Sequence, residues 1–456
     1  MSSGSSEDSP TGSPPPLLPN PFIKKRNQDW DISPPPLKRK RQLEPSPPTT
    51  TPNQPQPIGP SHLSTSAAIE AGRVQITDHL AHFTDLLSSH VLHPFPADLP
   101  RLPVPSYSSL FASNANNPRG AHFVIHQHDH PIAGTHYDLR LQINGTSSAS
   151  WAIMKGLPGD PNSPRLGRNA TETRIHCLWN HLIETGSRET GSLLVWDMGV
   201  YEVLPSREEE EMKRKGVETE SEGESQEQRR EKVDGLTQQE KFARAFKERK
   251  IRLRLHGTRL PKGYTVHMRL SVEDDVEGRA KALRNVKFGP KSRRRRRGSR
   301  KDPDGPETSG SEEEEYNDGV STIGGDYESH MGEGEDGLSA MEREILELED
   351  AMVRRTNAYP GADNTIGSVH QRRWFLSLDR AGSDFVKQRQ NGKISWVKDV
   401  DRPPEGPEDN RWTFPFYVRG SEVERSVVTG RLGDEILKDE GVTDFVHRKG
   451  WRPILN

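Results

Sequence analysis

Short runs in which polar and apolar residues alternate recur along this chain, and a side-chain period of two is one that extended backbone presents to a core. The clearest run is His136-Tyr137-Asp138-Leu139-Arg140-Leu141-Gln142-Ile143. Tyr137, Leu139, Leu141 and Ile143 are predicted to face a core, while His136, Asp138, Arg140 and Gln142 share the other face of a half-buried strand. An imidazole, a carboxylate and a guanidinium then follow one another at about 7 Å along one rigid element. Phe123-Val124-Ile125-His126-Gln127-His128 is also strand-like and adds two imidazoles on one face. Asn144-Gly145 supplies a short hairpin turn, and Ser150-Trp151-Ala152-Ile153-Met154-Lys155 reads as the returning strand.

More such runs follow. Ser192–Asp197 and Val200–Leu204 flank a turn at Met198-Gly199; Ile251–Gly257 and Tyr264–Leu270 flank one at Pro261-Lys262-Gly263; Trp374–Leu378 comes late. Without βαβ alternation, the pattern predicts a mainly β fold. The expected form is a small closed β-barrel with short flanking helices, interrupted by long disordered charged insertions. Thr77-Asp78 opens a helix whose Leu80, Phe83 and Leu87, extended back to Ile76, form one apolar stripe, an amphipathic brace for the core.

Only 30% of the 456 residues are hydrophobic, 37 are proline and 29% are charged, so one modest core with segments that do not pack is expected. Residues 1–66 read as a disordered Pro/Ser-rich tail and 67–98 as the helical brace. The barrel occupies 99–204 and 247–273 around a charged insertion at 205–246. A disordered charged insertion spans 274–369, with an arginine run from Arg293 to Arg297 and an acidic tract from Glu312 to Glu315. Within it Leu338, Met341, Ile345, Leu348 and Met352 keep helical spacing, which suits a helix docked on the core or on a partner, the core being the plainer choice. A late barrel strand at 370–388 precedes a C-terminal extension, 389–456, whose Trp396, Trp412, Phe414, Phe416, Tyr417 and Trp451 argue for order.

The net charge of −3 hides local asymmetry. Lys24-Lys25-Arg26 and Lys38-Arg39-Lys40-Arg41 have the layout of a bipartite nuclear localisation signal; a solvated basic tail is the plainer reading. The single cysteine, Cys177, excludes an internal disulfide framework and fits a reducing compartment. No apolar run is long enough to span a bilayer, and the polar start is no signal peptide. A soluble nuclear protein without a membrane partner is expected.

His128, His136 and Asp138 make a competent ligand set for Mn²⁺, Zn²⁺ or Fe²⁺. Spacing alone leaves a metal site and an idle histidine-rich loop equally open. Arg140, two residues past Asp138 on the same face, has a fork that matches phosphate. A salt bridge to Asp138 is its structural alternative. Lys155 on the returning strand is either a second positive charge for that phosphate or a solvated lysine.

These runs, with Gly156-Leu157-Pro158 after Lys155, resemble the 3′-phosphoesterase domain of the DNA ligase D family. That family shows Gln-Lys-His, His-Tyr-Asp-Phe-Arg-Leu and Ser-Trp-Ala-Val-Pro-Lys-Gly-Pro in this order. Trp179-Asn180-His181 resembles its Glu-Asp-His, Val195-Trp196-Asp197-Met198-Gly199 its Val-Trp-Asp-x-Gly, and Leu253-Arg254-Leu255-His256-Gly257 with Leu260 its Phe-x-Leu-x-Gly…Leu. The resemblance implies a barrel enzyme that uses Mn²⁺, or another divalent metal, to trim 3′-phosphate or 3′-ribonucleoside ends of DNA in end repair. It implies His128, His136 and Asp138 as metal ligands, Arg140 and His181 as catalytic groups on the scissile phosphate, and Lys155 as a supporting phosphate-binding residue. Partners would be DNA 3′ ends, some containing RNA, and repair proteins met through the charged tails. The sequence departs from the family where Trp179 replaces Glu, Thr185 replaces Tyr, and Thr173 falls where Arg is expected, with Arg168 and Arg174 nearby. The gap from His128 to His136 is also longer. Two other classes fit part of the pattern: a non-catalytic nuclear nucleic-acid-binding protein with a degenerate barrel, and a non-haem iron oxygenase, since two His and one Asp also form a facial triad.

Overall fold

The structure is a computed structural model that describes residues 65–70, 72, 74–207, 209–210, 235–287, 351–390, 393–399 and 410–455. The basic clusters at 24–26 and 38–41, the arginine run, the acidic tract and the helical spacing from Leu338 to Leu348 lie outside these residues.

The alternating runs do become strands, but Ser192–Asp197 and Val200–Leu204 run on through Met198-Gly199 as one strand with no turn. In chain order they are β1 (His122–His130), β2 (Gly134–Gln142), β3 (Ser147–Ile153), β4 (Gly167–Glu172), β5 (His176–Cys177), β6 (Thr185–Ser187), β7 (Gly191–Val203), β8 (Lys250–Gly257), β9 (Thr265–Arg269) and β10 (Arg373–Leu378). Eight of them close an antiparallel barrel in the order β1-β2-β3-β4-β10-β9-β8-β7, with β7 returning to β1. The late strand β10 is the closing stave: Trp374 pairs with Ala170 of β4, and Leu376 with Met268 of β9. Inside stand Phe123, Ile125, Tyr137, Leu139, Leu141, Trp151, Leu194, Trp196, Leu253, Leu255, Val266 and Trp374, all buried.

Strand β7 changes face midway. Leu194 and Trp196 point inward, and so do Tyr201 and Val203, which a strict period of two forbids. The pairing with β1 slips between Ile125 and His126, opposite Asp197 and Val195, so a bulge at Trp196 absorbs the extra residue. The β2–β3 turn also differs from the expected short form. Asn144, Gly145 and Thr146 lie between Ile143 and Ser147, and the Asn144 side chain accepts from Thr146 N at 2.9 Å.

A helical layer covers the outside of β1 and β7. Helices α1 (Thr65–Glu70), α2 (His79–His90) and α3 (Val104–Asn114) precede the barrel. Asp78 caps α2 by accepting from Ala81 N at 2.9 Å, and Phe83 and Leu87 lie buried against Val124, Val195 and Met198. Strand β2 is therefore buried along all nine residues, not half-buried as its alternation suggests. Its polar face is sealed too.

Two insertions are narrower than the sequence implies. Helix α4 (Gln238–Lys247), inside the span read as a charged insertion, is closed by a Thr237–Glu240 capping box and buries Phe242 and Phe246 near Trp151 and Trp374. Its charged and amide side chains mask two core aromatics spaced one turn apart. Within 274–369, helix α5 (Val272–Lys287) and helix α6 (Ala351–Thr356) are ordered. The stretch after α6 docks on the barrel, where Ile175 N donates to Asn357 O and Tyr359 N to Ile175 O.

The C-terminal part is integral to the core. After the hairpin β11 (Phe385–Gln390) and β12 (Lys393–Lys398), Trp412, Phe414 and Phe416 gather near Tyr264 and Trp196, ahead of helix α7 (Gly433–Asp439). Fully buried Arg259 lies over the rings of Trp196 and Trp412 and donates to Glu424 at 2.8 Å, which also accepts from Trp196 Nε1 at 2.8 Å. Removing the carboxylate would strand a buried guanidinium. Glu424→Ala is expected to lower the unfolding free energy by about 3–5 kcal/mol in urea titration; an unchanged midpoint would show that the pair is dispensable.

Candidate metal centre

Register assembles the centre. His128 of β1 stands directly opposite His136 of β2, and Asp138 lies two residues further along the same face. Their ligand atoms lie within 4.8 Å of one another, and among the described residues this is the one such trio of His, Cys, Asp or Glu. His128 Nδ1 is 3.6 Å from Asp138 Oδ2, and His136 Nε2 is 3.5 Å from Asp138 Oδ1.

Backbone carbonyls fix how the imidazoles face inward. His128 Nε2 lies 2.8 Å from Thr190 O and His136 Nδ1 2.8 Å from Gly134 O, so those nitrogens carry the hydrogens. In the neutral rings the lone pairs of His128 Nδ1 and His136 Nε2 then face the Asp138 carboxylate. Lone pairs beside an anion suit a cation among them, and outer carbonyl bonds of this kind orient metal-binding imidazoles. The longer gap between the two histidines is taken up by the β1–β2 turn, where His130 Nδ1 accepts from Ile132 N and Ala133 N at 3.1 and 3.0 Å.

Electrostatics favour the ligand form of Asp138 and His136, whereas the carboxylate favours the protonated form of His128, a proton that a metal would displace. Burial raises the Asp138 carboxyl, but His136, His128 and Arg140 outweigh it and hold the group well below the usual carboxylate range. Burial keeps His136 below its ordinary value. For His128 burial also acts downward, yet the Asp138 carboxylate prevails and lifts it. Arg140 Nη2 reaches Asp138 Oδ2 at 3.5 Å and Nη1 reaches Asn180 O at 3.4 Å. Both contacts are long, and its buried Nε has no partner among the described residues.

His181 arrives on the short 3₁₀ turn Leu178–Leu182 and is fully buried. Its Nδ1 is 2.7 Å from Nδ1 of fully buried His122, at the start of β1. One ring donates and the other accepts. Burial pushes His122 down to about 3 and His181 well below its ordinary value, so both are neutral near pH 7. Arg140 and His181 lie within each other's field, and His126 and His176 belong to the same electrostatic group.

Lys155 is placed elsewhere. It sits in the turn after β3, donates to Arg452 O at 3.0 Å and lies 5.6 Å from the Trp451 ring centroid. The nearby arginines are also engaged away from Arg140. Arg174 donates to Asn357 Oδ1 at 2.9 Å, and Arg168 to the carbonyls of Arg165 and Gly167. Sequence reasoning missed three groups near the centre: His122, His176 and Glu70. The half-buried carboxyl of Glu70, at the end of α1, is raised by burial and lies in the field of His128 and Arg140. Alternation from β1 could have flagged His122, which shares parity with His126 and His128. Neither His176 nor Glu70 carries such a signal.

Buried neutral imidazoles make stability depend on pH. His122, His126 and His181 are fully buried and held below 6.5, whereas an unfolded histidine protonates near 6.5. Their contribution is complete above pH 6.5 and is lost as pH falls towards the folded values, about 1.4 kcal/mol per pH unit for each ring. His128, raised by Asp138, runs the opposite way but is one group against three. The melting temperature of the chelator-treated protein is expected to drop steadily from pH 7 to pH 5. A flat profile would contradict the burial of these rings.

Residues 126–268 match the family model of the DNA Ligase D 3'-phosphoesterase domain. The match begins at His126 on β1, ends at Met268 on β9, and includes His128, His136, Asp138, Arg140, Lys155 and His181. The late strand β10, the helices before the barrel and the C-terminal part lie outside it. No curated protein matches the chain.

Proposed function

We propose that this protein is a divalent-metal-dependent 3′-phosphoesterase that trims 3′-phosphate or 3′-ribonucleoside ends of DNA in end repair, with Mn²⁺ as its metal. The observation that carries this reading is the trio His128, His136 and Asp138 with Arg140 on the same carboxylate, all inside the segment that matches a 3′-phosphoesterase family. The two basic clusters at 24–26 and 38–41 direct it to the nucleus, and the charged segments are where repair proteins would meet it.

His128 Nδ1, His136 Nε2 and an Asp138 oxygen would hold the metal, which when bound supplies Lewis acidity to a phosphoryl oxygen and to water. Arg140 neutralises the charge that shifts across the phosphoryl oxygens during displacement, in a site dry enough for that interaction to count. Its weak existing contacts leave the fork available. His181 serves as a neutral hydrogen-bond donor. When His122 Nδ1 donates to His181 Nδ1, His181 carries its hydrogen on Nε2, which can donate a hydrogen bond to a phosphoryl oxygen as charge builds there. His122 is thereby a positioning residue that sets the tautomer. The oxygenase alternative leaves Arg140 and His181 unused.

The direct test is phosphate release from an end-labelled duplex bearing a 3′-phosphate, across a panel of divalent metals. Release with Mn²⁺ is expected, reduced at least about 100-fold in Arg140→Ala and abolished in His136→Ala. Asp138→Asn should also weaken Mn²⁺ binding measured by titration calorimetry. Full activity in purified His136→Ala or Arg140→Ala would sink the site assignment. DNA binding without turnover under every metal would instead select the non-catalytic reading.

A further inference from the structure

The C-terminal extension carries a stretch that the phosphoesterase reading leaves unused. Five consecutive residues, Asp444 to Arg448, run across both turns that hold the metal-facing imidazoles in orientation. One turn, residues 188–190, joins β6 to β7 and supplies Thr190 O to His128 Nε2 at 2.8 Å. The other, residues 131–133, joins β1 to β2 and leads into Gly134, whose carbonyl lies 2.8 Å from His136 Nδ1. Asp444 Oδ2 pairs with Arg188 Nη1 at 3.1 Å in the first turn. The Phe445 ring closes over Gly191, where an added Cβ would lie 3.1 Å from it. Arg448 Nη1 donates to Ile132 O at 2.6 Å in the second turn, and its aliphatic stem covers Gly134, 3.3 Å from where a Cβ would stand. Between them, His447 is set on β1 itself. Its Nδ1 lies against Oδ2 of Asp129, a carboxylate 1% exposed whose Oδ1 accepts from Thr135 Oγ1 of β2 at 2.8 Å. Its Nε2 reaches Asp434 of α7 at 3.2 Å. Each ring nitrogen thus faces a carboxylate oxygen, so whichever carries the hydrogen has an acceptor.

We propose that residues 444–448 form a strap that positions the metal trio, so that the affinity of this chain for a divalent metal is set in part from outside the segment that matches the phosphoesterase family. The proposal rests on the metal-centre reading and adds to it a determinant supplied by the C-terminal part. Turns are where a barrel's backbone shifts most readily, and a carbonyl displaced by about half an ångström no longer holds an imidazole well. Fixing Thr190 O and Gly134 O keeps the lone pairs of His128 Nδ1 and His136 Nε2 converged before a metal arrives. Outer contacts that orient metal-binding imidazoles are worth about 10- to 100-fold in metal affinity. His447 and Arg448 act through the turns and through β1, and so are positioning residues. Charge alone predicts the opposite sign. Arg448 brings a cation to the edge of a cation site, so on Coulombic grounds its removal tightens the metal, whereas loss of a strap loosens it.

Mn²⁺ is the probe, titrated calorimetrically into the full chain and its variants, with the melting temperature of each metal-free protein recorded alongside. Arg448→Ala, at an exposed position, is expected to weaken Mn²⁺ about tenfold with little change in melting. Arg448→Lys, which keeps a donor for Ile132 O, should recover most of that loss. His447→Gln, which keeps a donor for Asp129, should likewise bind Mn²⁺ more tightly than His447→Ala. Lys449→Ala removes the next exposed cation along the chain and should bind Mn²⁺ at least as tightly as the wild type. Unchanged or tighter Mn²⁺ binding in Arg448→Ala and His447→Ala, whatever their melting, beside a wild type that binds it, would overturn the strap and leave the metal trio standing. A wild type that binds no divalent metal would reject the centre itself and the strap with it. Mn²⁺ bound by the wild type and weakened as described, with no hydrolysis of any 3′ end, would keep the strap and reject the enzymatic reading instead.

Discussion

Strand β2 is buried on both faces, and the character of the structure follows from that constraint. One face is apolar and needs only the barrel interior; the other carries His136, Asp138, Arg140 and Gln142 and cannot be left dry without partners. Gln142 is satisfied by His122 N, Asn114 O and Asn144 O, which fastens α3 to the barrel. Asp138 is satisfied only by cationic or cation-seeking groups. A carboxylate enclosed by two imidazoles and a guanidinium is a poor structural element and a good reactive one.

The helical layer therefore does more than shield apolar surface. By covering β1 and β7, it removes water from the polar face and strengthens each charge interaction there. The cost is visible in imidazoles held neutral far from their ordinary range. His122 and His181 resolve part of it by bonding to each other, and Tyr107 pins the layer in place by donating to Leu182 O at 2.8 Å. Glu184 secures the next residues along, accepting from Thr429 Oγ1 and Arg431 Nη2 in the C-terminal part.

Much of this was legible in the sequence because strand periodicity is local. Tyr137, Leu139 and Leu141 inside, with His136, Asp138 and Arg140 outside, follow from a period of two and nothing else. The closed mainly β barrel follows from counting such runs. What was not legible depends on contacts distant in sequence. That β2 is sealed on its polar face depends on helices placed by other parts of the chain. The aromatics of α4 were hidden by surrounding charge, and Lys155 was drawn away by Trp451 and Arg452, some three hundred positions later. His176 reaches the electrostatic group of Arg140 through the pairing of β5 with β3, which no local pattern encodes.

The position of β10 has a bearing on how the chain emerges during synthesis. Seven staves and every ligand of the metal trio precede residue 270, yet β4 and β9 share no edge until residues 373–378 slide between them. Until then two strands present unpaired backbone, a template for wrong partners. The nascent barrel is thus an open gutter for the interval in which more than a hundred further residues are made. The length of the intervening segment sets that delay.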